Sequence, residues 1–153
     1  MASEIRHLST FIDRPAQEVY DYASDPAHLP EWAAGLSSAM EQVDGQWFAD
    51  SPMGRIEIDF TPRNEYGVLD HTVRLPSGEA TANPMRVLPD GAGCEVVFTL
   101  RRRPGMTDED FAADANAVQA DLRTLKQLLE KDQRALSSST DTVSYHLKHR
   151  LTA

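Results

Sequence analysis

A single cysteine, Cys94, stands in the 153-residue chain, so no intrachain disulfide can form and nothing signals an oxidising compartment. Apolar runs are short, and the opening Met1-Ala2-Ser3-Glu4-Ile5-Arg6 lacks the apolar segment of a secretory signal. A cytoplasmic protein without membrane insertion is therefore expected. Basic residues are scarce: 15 Lys and Arg against 24 Asp and Glu leave a formal charge of −9. That field repels a phosphate backbone, and the one basic run, Arg101-Arg102-Arg103, is short, so nucleic acid is not an expected partner. Gly-x-Gly-x-x-Gly, Walker and Gly-x-Ser-x-Gly motifs are missing, which removes the usual signatures of nucleotide binding and serine hydrolysis. Metal ligands are sparse as well. His28 with Glu31, and His146 with His149, each supply two donors where zinc needs three or four, so neither metal nor cofactor is expected.

What remains is an ordinary soluble composition, 41% hydrophobic and 25% charged, at a length that suits one domain. Residues 4–12 are rich in β-formers and end at Asp13-Arg14-Pro15, which predicts a strand. Pro15 suits a first helical turn, so 15–23 reads as a short helix burying Val19. Ser24-Asp25-Pro26 breaks it and starts a second, 27–34, carrying Leu29 and Trp32. From Leu36 to Arg101, turn signals recur at Asp44-Gly45, Pro52-Met53-Gly54, Asn64-Glu65-Tyr66-Gly67, Pro76-Ser77-Gly78 and Pro89-Asp90-Gly91. Five turns predict six strands in an antiparallel meander. Ile56, Ile58 and Phe60 alternate with polar or charged residues, as do Leu69, His71, Val73 and Leu75, and Cys94, Val96, Phe98 and Leu100 form a third set. One face of the sheet is dry and the other wet.

After Pro104-Gly105-Met106 the period becomes helical, opening on Thr107-Asp108-Glu109-Asp110. Phe111, Ala115, Val118, Leu122, Leu125 and Leu129 follow at alternating steps of four and three, a single apolar stripe. Residues 136–153 begin Leu136-Ser137-Ser138-Ser139-Thr140 and read as a polar tail without a clear period. Two readings of it stand side by side: Tyr145, Leu147 and Leu151 pack on apolar surface of the domain or of a second copy, which would make a homodimer, or the segment is a coil that docks on neither. The expected organisation is a single domain, 1–135, and a tail, 136–153. The fold class is α+β: a curved seven-stranded antiparallel sheet wrapped around a long C-terminal helix, with two short helices after strand 1. A sheet curled around one helix leaves an interior suited to a ligand.

Two segments carry a family resemblance: Ile12-Asp13-Arg14-Pro15-Ala16-Gln17-Glu18-Val19 and Ser24-Asp25-Pro26-Ala27-His28-Leu29-Pro30-Glu31-Trp32. Together with Gly67-Val68-Leu69-Asp70-His71, Asn83-Pro84-Met85-Arg86-Val87 and Phe98-Thr99-Leu100, they resemble the SRPBCC superfamily of START-like, helix-grip proteins over about residues 4–131. The likeness is strongest to its polyketide cyclase/dehydrase branch and an uncharacterised bacterial subgroup. Arg14 stands where that family usually has alanine. The resemblance implies a deep cavity for a hydrophobic or aromatic small molecule, in a family whose members carry lipids, bind hormones, cyclise polyketides or dehydrate intermediates.

Among single residues, His71 falls on the dry face between Leu69 and Val73, aimed at the helix or the cavity. A structural imidazole bonded to backbone is the preferred reading, beside one in which it orients a ligand hydroxyl or moves a proton. Arg86 is a surface residue near Asp70 if Asn83, Met85 and Val87 face inward; a one-residue slip would send it into the cavity. Trp32, Trp47, Phe60, His71, Met85, Phe98, Leu122 and Leu125 are the candidate cavity residues, with Trp32 at the mouth. Cys94 reads as a small buried hydrophobe. No acid and base pair emerges on the dry face, so binding or transport of a small hydrophobic or aromatic molecule is preferred over catalysis. Two alternatives stand beside it. One is a cyclase or dehydratase using His71 with Tyr20 or Arg86, and the other is an interaction module acting through the acidic surface or the tail.

Overall fold

Strand alternation and helical periodicity divide this chain at Pro104-Gly105, and the architecture divides at the same place. A computed structural model describes residues 2–150, with side chains described over 2–131. Strand β1 (Ile5–Ile12) leads to α1 (Ala16–Ala23), a 3-10 turn (Pro26–His28) and α2 (Leu29–Trp32). The strands β2 (Glu41–Val43), β3 (Gln46–Ser51), β4 (Gly54–Phe60), β5 (His71–Arg74), β6 (Ala80–Asn83), β7 (Met85–Asp90) and β8 (Gly93–Arg101) follow, and α3 (Asp108–Arg150) closes the chain. The break between α1 and α2 is local chemistry: the Asp25 carboxylate accepts the Ala27 N–H at 3.0 Å and Pro26 opens the turn. The second short helix stops earlier than the pattern predicts. Ala33 turns extended and the Ala34 N–H reaches the Asp121 carboxylate on α3 at 3.1 Å.

All named strand pairs are antiparallel. The ladder runs β1-β8-β7 on one side and β2-β3-β4-β5-β6 on the other. This is the helix-grip arrangement, with eight strands in place of the seven expected, and Pro84 is the reason. Having no N–H and a fixed φ, it interrupts one long strand into β6, which pairs with β5, and β7, which pairs with β8. The Pro84 carbonyl still accepts the Thr99 N–H at 2.9 Å, so the two halves stay joined at the kink. On the far side of β7, Leu69 and Val87 donate to Met85 and Gly67 at 2.9 Å each. There the backbone approach demands glycine: Gly67 has φ +68°, and a Cβ would lie 2.3 Å from the Val87 carbonyl oxygen. The β2–β3 hairpin turns on Asp44 (φ 51°) and Gly45 (φ 80°), the paired positive values that a two-residue hairpin requires.

Helix α3 begins at a Thr107 cap, whose hydroxyl accepts the Asp110 N–H at 3.1 Å, with Asp108, Glu109 and Asp110 favourable in its first turn. Phe111, Ala115, Leu122, Leu125 and Leu129 are buried. The helix lies on β1, β8 and α2. It also covers the open edge of β1: Gln119 and Lys126 donate to the Ser9 and Phe11 carbonyls at 3.2 and 2.7 Å, and Glu130 accepts the Asp13 N–H at 3.0 Å. Leu122, Leu125 and Leu129 join Ile12, Val19, Leu69, Met85, Val87, Cys94 and Val96 in the main core. Leu100, Phe111 and Ala115 form a smaller core at the other end of this stripe.

Residues 136–150, expected to be a tail without a period, continue the same helix, so α3 covers 43 residues, about 65 Å at 1.5 Å each. Serine and threonine lower helical propensity only slightly, and a helix already nucleated needs only propagation to run on. The expected packing of Tyr145, Leu147 and Leu151 lies outside the described residues, as do the side chains of His146 and His149. Among the described residues no helix is long and apolar enough to cross a membrane.

Candidate functional site

Strand register brings the inward side chains of the far sheet into rows. Trp47, Ile58, Val73 and Thr81 form one row across β3, β4, β5 and β6. Phe60, His71 and Asn83 form the next across β4, β5 and β6. Ile58 is sealed, whereas Phe60, His71, Val73, Leu75, Thr81 and Asn83 remain half-buried. They stay so because α3 rests on the β1 and β8 side and stands away from β5 and β6. The space left is a cleft of about 860 Å³, between Val73, Leu75, Thr81 and Asn83 on one side and Leu100, Arg103 and Asp114 on the other. A second pocket of about 340 Å³ sits at the Pro84 kink, lined by Phe60, Asp70, His71 and Asn83 among others.

His71 is where the apolar rows carry a titratable group. Its ring lies 4.9 Å from Phe60 and 6.0 Å from Phe98, centroid to centroid. The Nδ1 sits 3.0 Å from the Leu69 carbonyl oxygen. A carbonyl can only accept, so Nδ1 carries the proton and Nε2 of the neutral ring keeps its lone pair. Burial pushes the His71 pKa below the ordinary imidazole value, opposed more weakly by the Leu69 hydrogen bond and the nearby Asp70 charge. The ring is thus neutral at physiological pH, with an acceptor at Nε2.

The two residues proposed to act with it are committed elsewhere. Arg86 takes the surface register, with Met85 and Val87 buried, and its guanidinium pairs with the Asp70 carboxylate. Asp70 also accepts the Met85 N–H at 2.9 Å. The carboxylate therefore stitches the chain just past Pro84 and leaves Arg86 outside the cleft. The Tyr20 hydroxyl accepts the Asn64 N–H at 2.8 Å, and the Arg63 guanidinium carbon lies 5.2 Å from the centre of the Tyr20 ring. Tyr20 borders a separate pocket of about 130 Å³ between α1 and the 64–67 loop.

Of the other candidate cavity residues, Met85, Leu122 and Leu125 are 1% exposed or less, and Trp32 is 7% exposed. These four belong to the packed core and do not line the cleft. The indole Nε1 of Trp32 is buried without a hydrogen-bond partner among the described residues. Trp47 and Phe98 are half-buried on the inner face. Val73, Leu75, Thr81, Asn83, Leu100, Arg103 and Asp114, which do line the cleft, were not among the candidates. Val73, Leu75 and Leu100 carried the signal of alternation, but Ala80-Thr81-Ala82-Asn83 has no apolar period to show which face is inward. His28 is held by the Tyr22 carbonyl at 3.0 Å and stacks on the Tyr22 ring at 4.2 Å, while Glu31 accepts the Tyr22 hydroxyl. Among the described residues no group of three or more His, Cys, Asp or Glu gathers as a metal site would. Cys94 is fully buried, and its thiol is pushed up to about 11 by burial and by Glu95.

The sequence over residues 7–130 matches the model of a family described as polyketide cyclase / dehydrase and lipid transport. The chain belongs to this family. Membership in the polyketide cyclase/dehydrase and lipid transport family agrees with the SRPBCC resemblance read from the α1 and α2 segments. Solved structures share the fold at low identity. An uncharacterized protein from Bacillus thuringiensis aligns with a TM-score of 0.66 at 13% identity, covering 82% of this chain and 98% of its own. A START superfamily protein from Mycobacterium smegmatis gives 0.60 at 12% identity, covering 83% and 97%. DynU16, described as a protein in the dynemicin biosynthetic locus, gives 0.62 at 16% identity, covering 82% of this chain and 47% of that one. No curated protein matches in sequence.

Proposed function

We propose that this chain binds or carries a small hydrophobic or aromatic molecule in the cleft between β5, β6 and the start of α3. The observation that carries the reading is the half-buried apolar surface of Val73 and Leu75, with buried Leu100 behind it, facing about 860 Å³ of open space. Such surface is costly to leave in water and is what a ligand of that class covers. Family membership supports the same class of ligand. In a thermal-shift series with naphthalene-sized aromatics and medium-chain acyl compounds, a binder raises Tm in proportion to the logarithm of its concentration. Leu75→Trp, which fills the cleft, abolishes the rise while the protein stays folded. No shift with any compound, together with unchanged tryptophan emission, would refute the reading.

A cyclase or dehydratase activity is the second reading, and the free Nε2 of His71 is the observation that favours it. That nitrogen suits a general base. Arg86 and Tyr20 are engaged by Asp70 and Asn64, so the base lacks the partners first considered for it. Transition-state stabilisation needs more fixed polar groups than one imidazole offers, and binding is therefore the leading function. Product formation from a bound compound, abolished in His71→Ala, would establish the enzyme instead.

A further inference from the structure

The inner face of the far sheet is apolar except along β6 and its neighbour, where His71 and Asn83 stand directly opposite each other. Residues so paired hold their Cβ atoms about 4.5–5.5 Å apart on the same face. Both side chains are half-buried. The Nδ1 of His71 is spent on Leu69. Its Nε2 and the Asn83 amide have no hydrogen-bond partner among the described residues. Asn83 borders both the large cleft and the smaller pocket, whereas His71 borders the smaller pocket, whose wall also carries Thr72 and Ala82, so Asn83 is the member of the pair that reaches the large cleft. Half-buried polar atoms beside the apolar rows lower the affinity for a pure hydrocarbon, because covering them removes their water without replacing it. They reward a ligand that supplies the missing partners.

We infer that His71 and Asn83 form a two-point recognition site for a single hydroxyl on an otherwise apolar aromatic ligand, with the hydroxyl donating to His71 Nε2 and accepting from the Asn83 amide. This rests on the proposed use of the cleft as a ligand site. The chemical logic is asymmetric. Neutral His71 with its proton on Nδ1 offers only an acceptor, so it selects a donor, whereas the Asn83 amide can rotate to give either group. An ether oxygen of the same size meets Asn83 but leaves Nε2 unpaired. A phenolic or alcoholic hydroxyl meets both. The two residues are thus specificity-determining, and the apolar rows beside them supply the bulk of the contact.

The test compares 2-naphthol with 2-methoxynaphthalene by fluorescence titration and calorimetry on the full chain. The two probes share the ring system and differ in the donor hydrogen. The expected result is that 2-naphthol binds about tenfold tighter, the worth of one net hydrogen bond to a polar group. In His71→Leu the ratio falls to about one, with 2-methoxynaphthalene binding within about twofold of the parent. His71→Gln, whose side-chain oxygen lies near the position of Nε2, restores a preference for 2-naphthol. Asn83→Ala weakens both probes and leaves their ratio above one. Equal binding of both probes to the parent chain would overturn the hydroxyl site while leaving the cleft as a ligand site. Binding of neither would overturn the cleft reading for aromatics, and the hydroxyl site with it. Circular dichroism of each variant separates loss of selectivity from loss of fold.

Discussion

The two ends of the α3 apolar stripe are built from the same pattern yet meet different surroundings. At Leu122, Leu125 and Leu129 the helix is enclosed by β1, α1, α2 and the strands around Met85 and Val96. At Phe111 and Ala115 it shares a small core with Leu100, and Asp114, between them on the helix, borders open space. The difference lies in what covers each end. Helices α1 and α2 close one end of the grip, and at the other only the Arg101–Pro104 segment and the helix start stand opposite β5 and β6. One end therefore supplies stability and the other supplies room, and a ligand site is more easily kept at the end whose packing the fold does not depend on.

The largest expected effect breaks the closed end. Leu125 is fully buried, so Leu125→Ala should lose about 2–5 kcal/mol in urea unfolding, the range for truncating a core leucine. A loss under about 1 kcal/mol would mean that this end is not the sealed one. A middle-sized effect is expected at the kink between the two halves of the sheet. Asp70→Ala removes the acceptor of the Met85 N–H and the partner of Arg86, which should cost about 1–3 kcal/mol for the backbone donor left unpaired. Arg86→Ala, a half-exposed pair partner, should cost less than about 1 kcal/mol. The contrast between these two variants tests whether Asp70 acts on the backbone rather than through charge.

At the open end, Val73→Ala should cost less than about 1 kcal/mol, because a residue already facing space leaves little new void. The same variant should weaken aromatic ligands, as titration would show. The smallest effect is one of pH. His71 is held neutral by burial, so the folded pKa lies below the unfolded value of about 6.5. The unfolded chain then takes up this proton first as the pH falls. Stability is unaffected by His71 above about pH 6.5 and declines below it, until the folded protein is protonated too. Melting curves of the parent and His71→Gln should diverge in that acid range and run parallel above it.

Much of this was legible in the residues. The alternation of Ile56, Ile58 and Phe60 and the four-and-three stripe from Phe111 to Leu129 are period signals that survive folding because burial selects one face. The turn dipeptides marked the hairpins, since a residue such as Gly45 with positive φ must be glycine or a near substitute. The count of strands went astray at Pro84, where a proline inside one strand splits it while the chain still runs on in the same direction. The cleft residues were harder to read. Thr81 and Asn83 sit in a strand whose alanines give no contrast between faces, and Leu122, Leu125 and Met85 look as apolar in a sealed core as they would in a cavity wall.

The order of the strands and short helices, the dry face of the strands that alternate clearly and the gripping helix were determined by the sequence by itself, because periodicity and turn chemistry are local properties of a few neighbouring residues. Which apolar side chains meet each other and which meet empty space was decided only by the tertiary structure. That depends on how far α3 stands from β5 and β6, on the carboxylate of Asp70 holding the chain past Pro84, and on the pairing that sets His71 opposite Asn83. Such contacts join residues distant along the chain, and no local pattern records the space left between them.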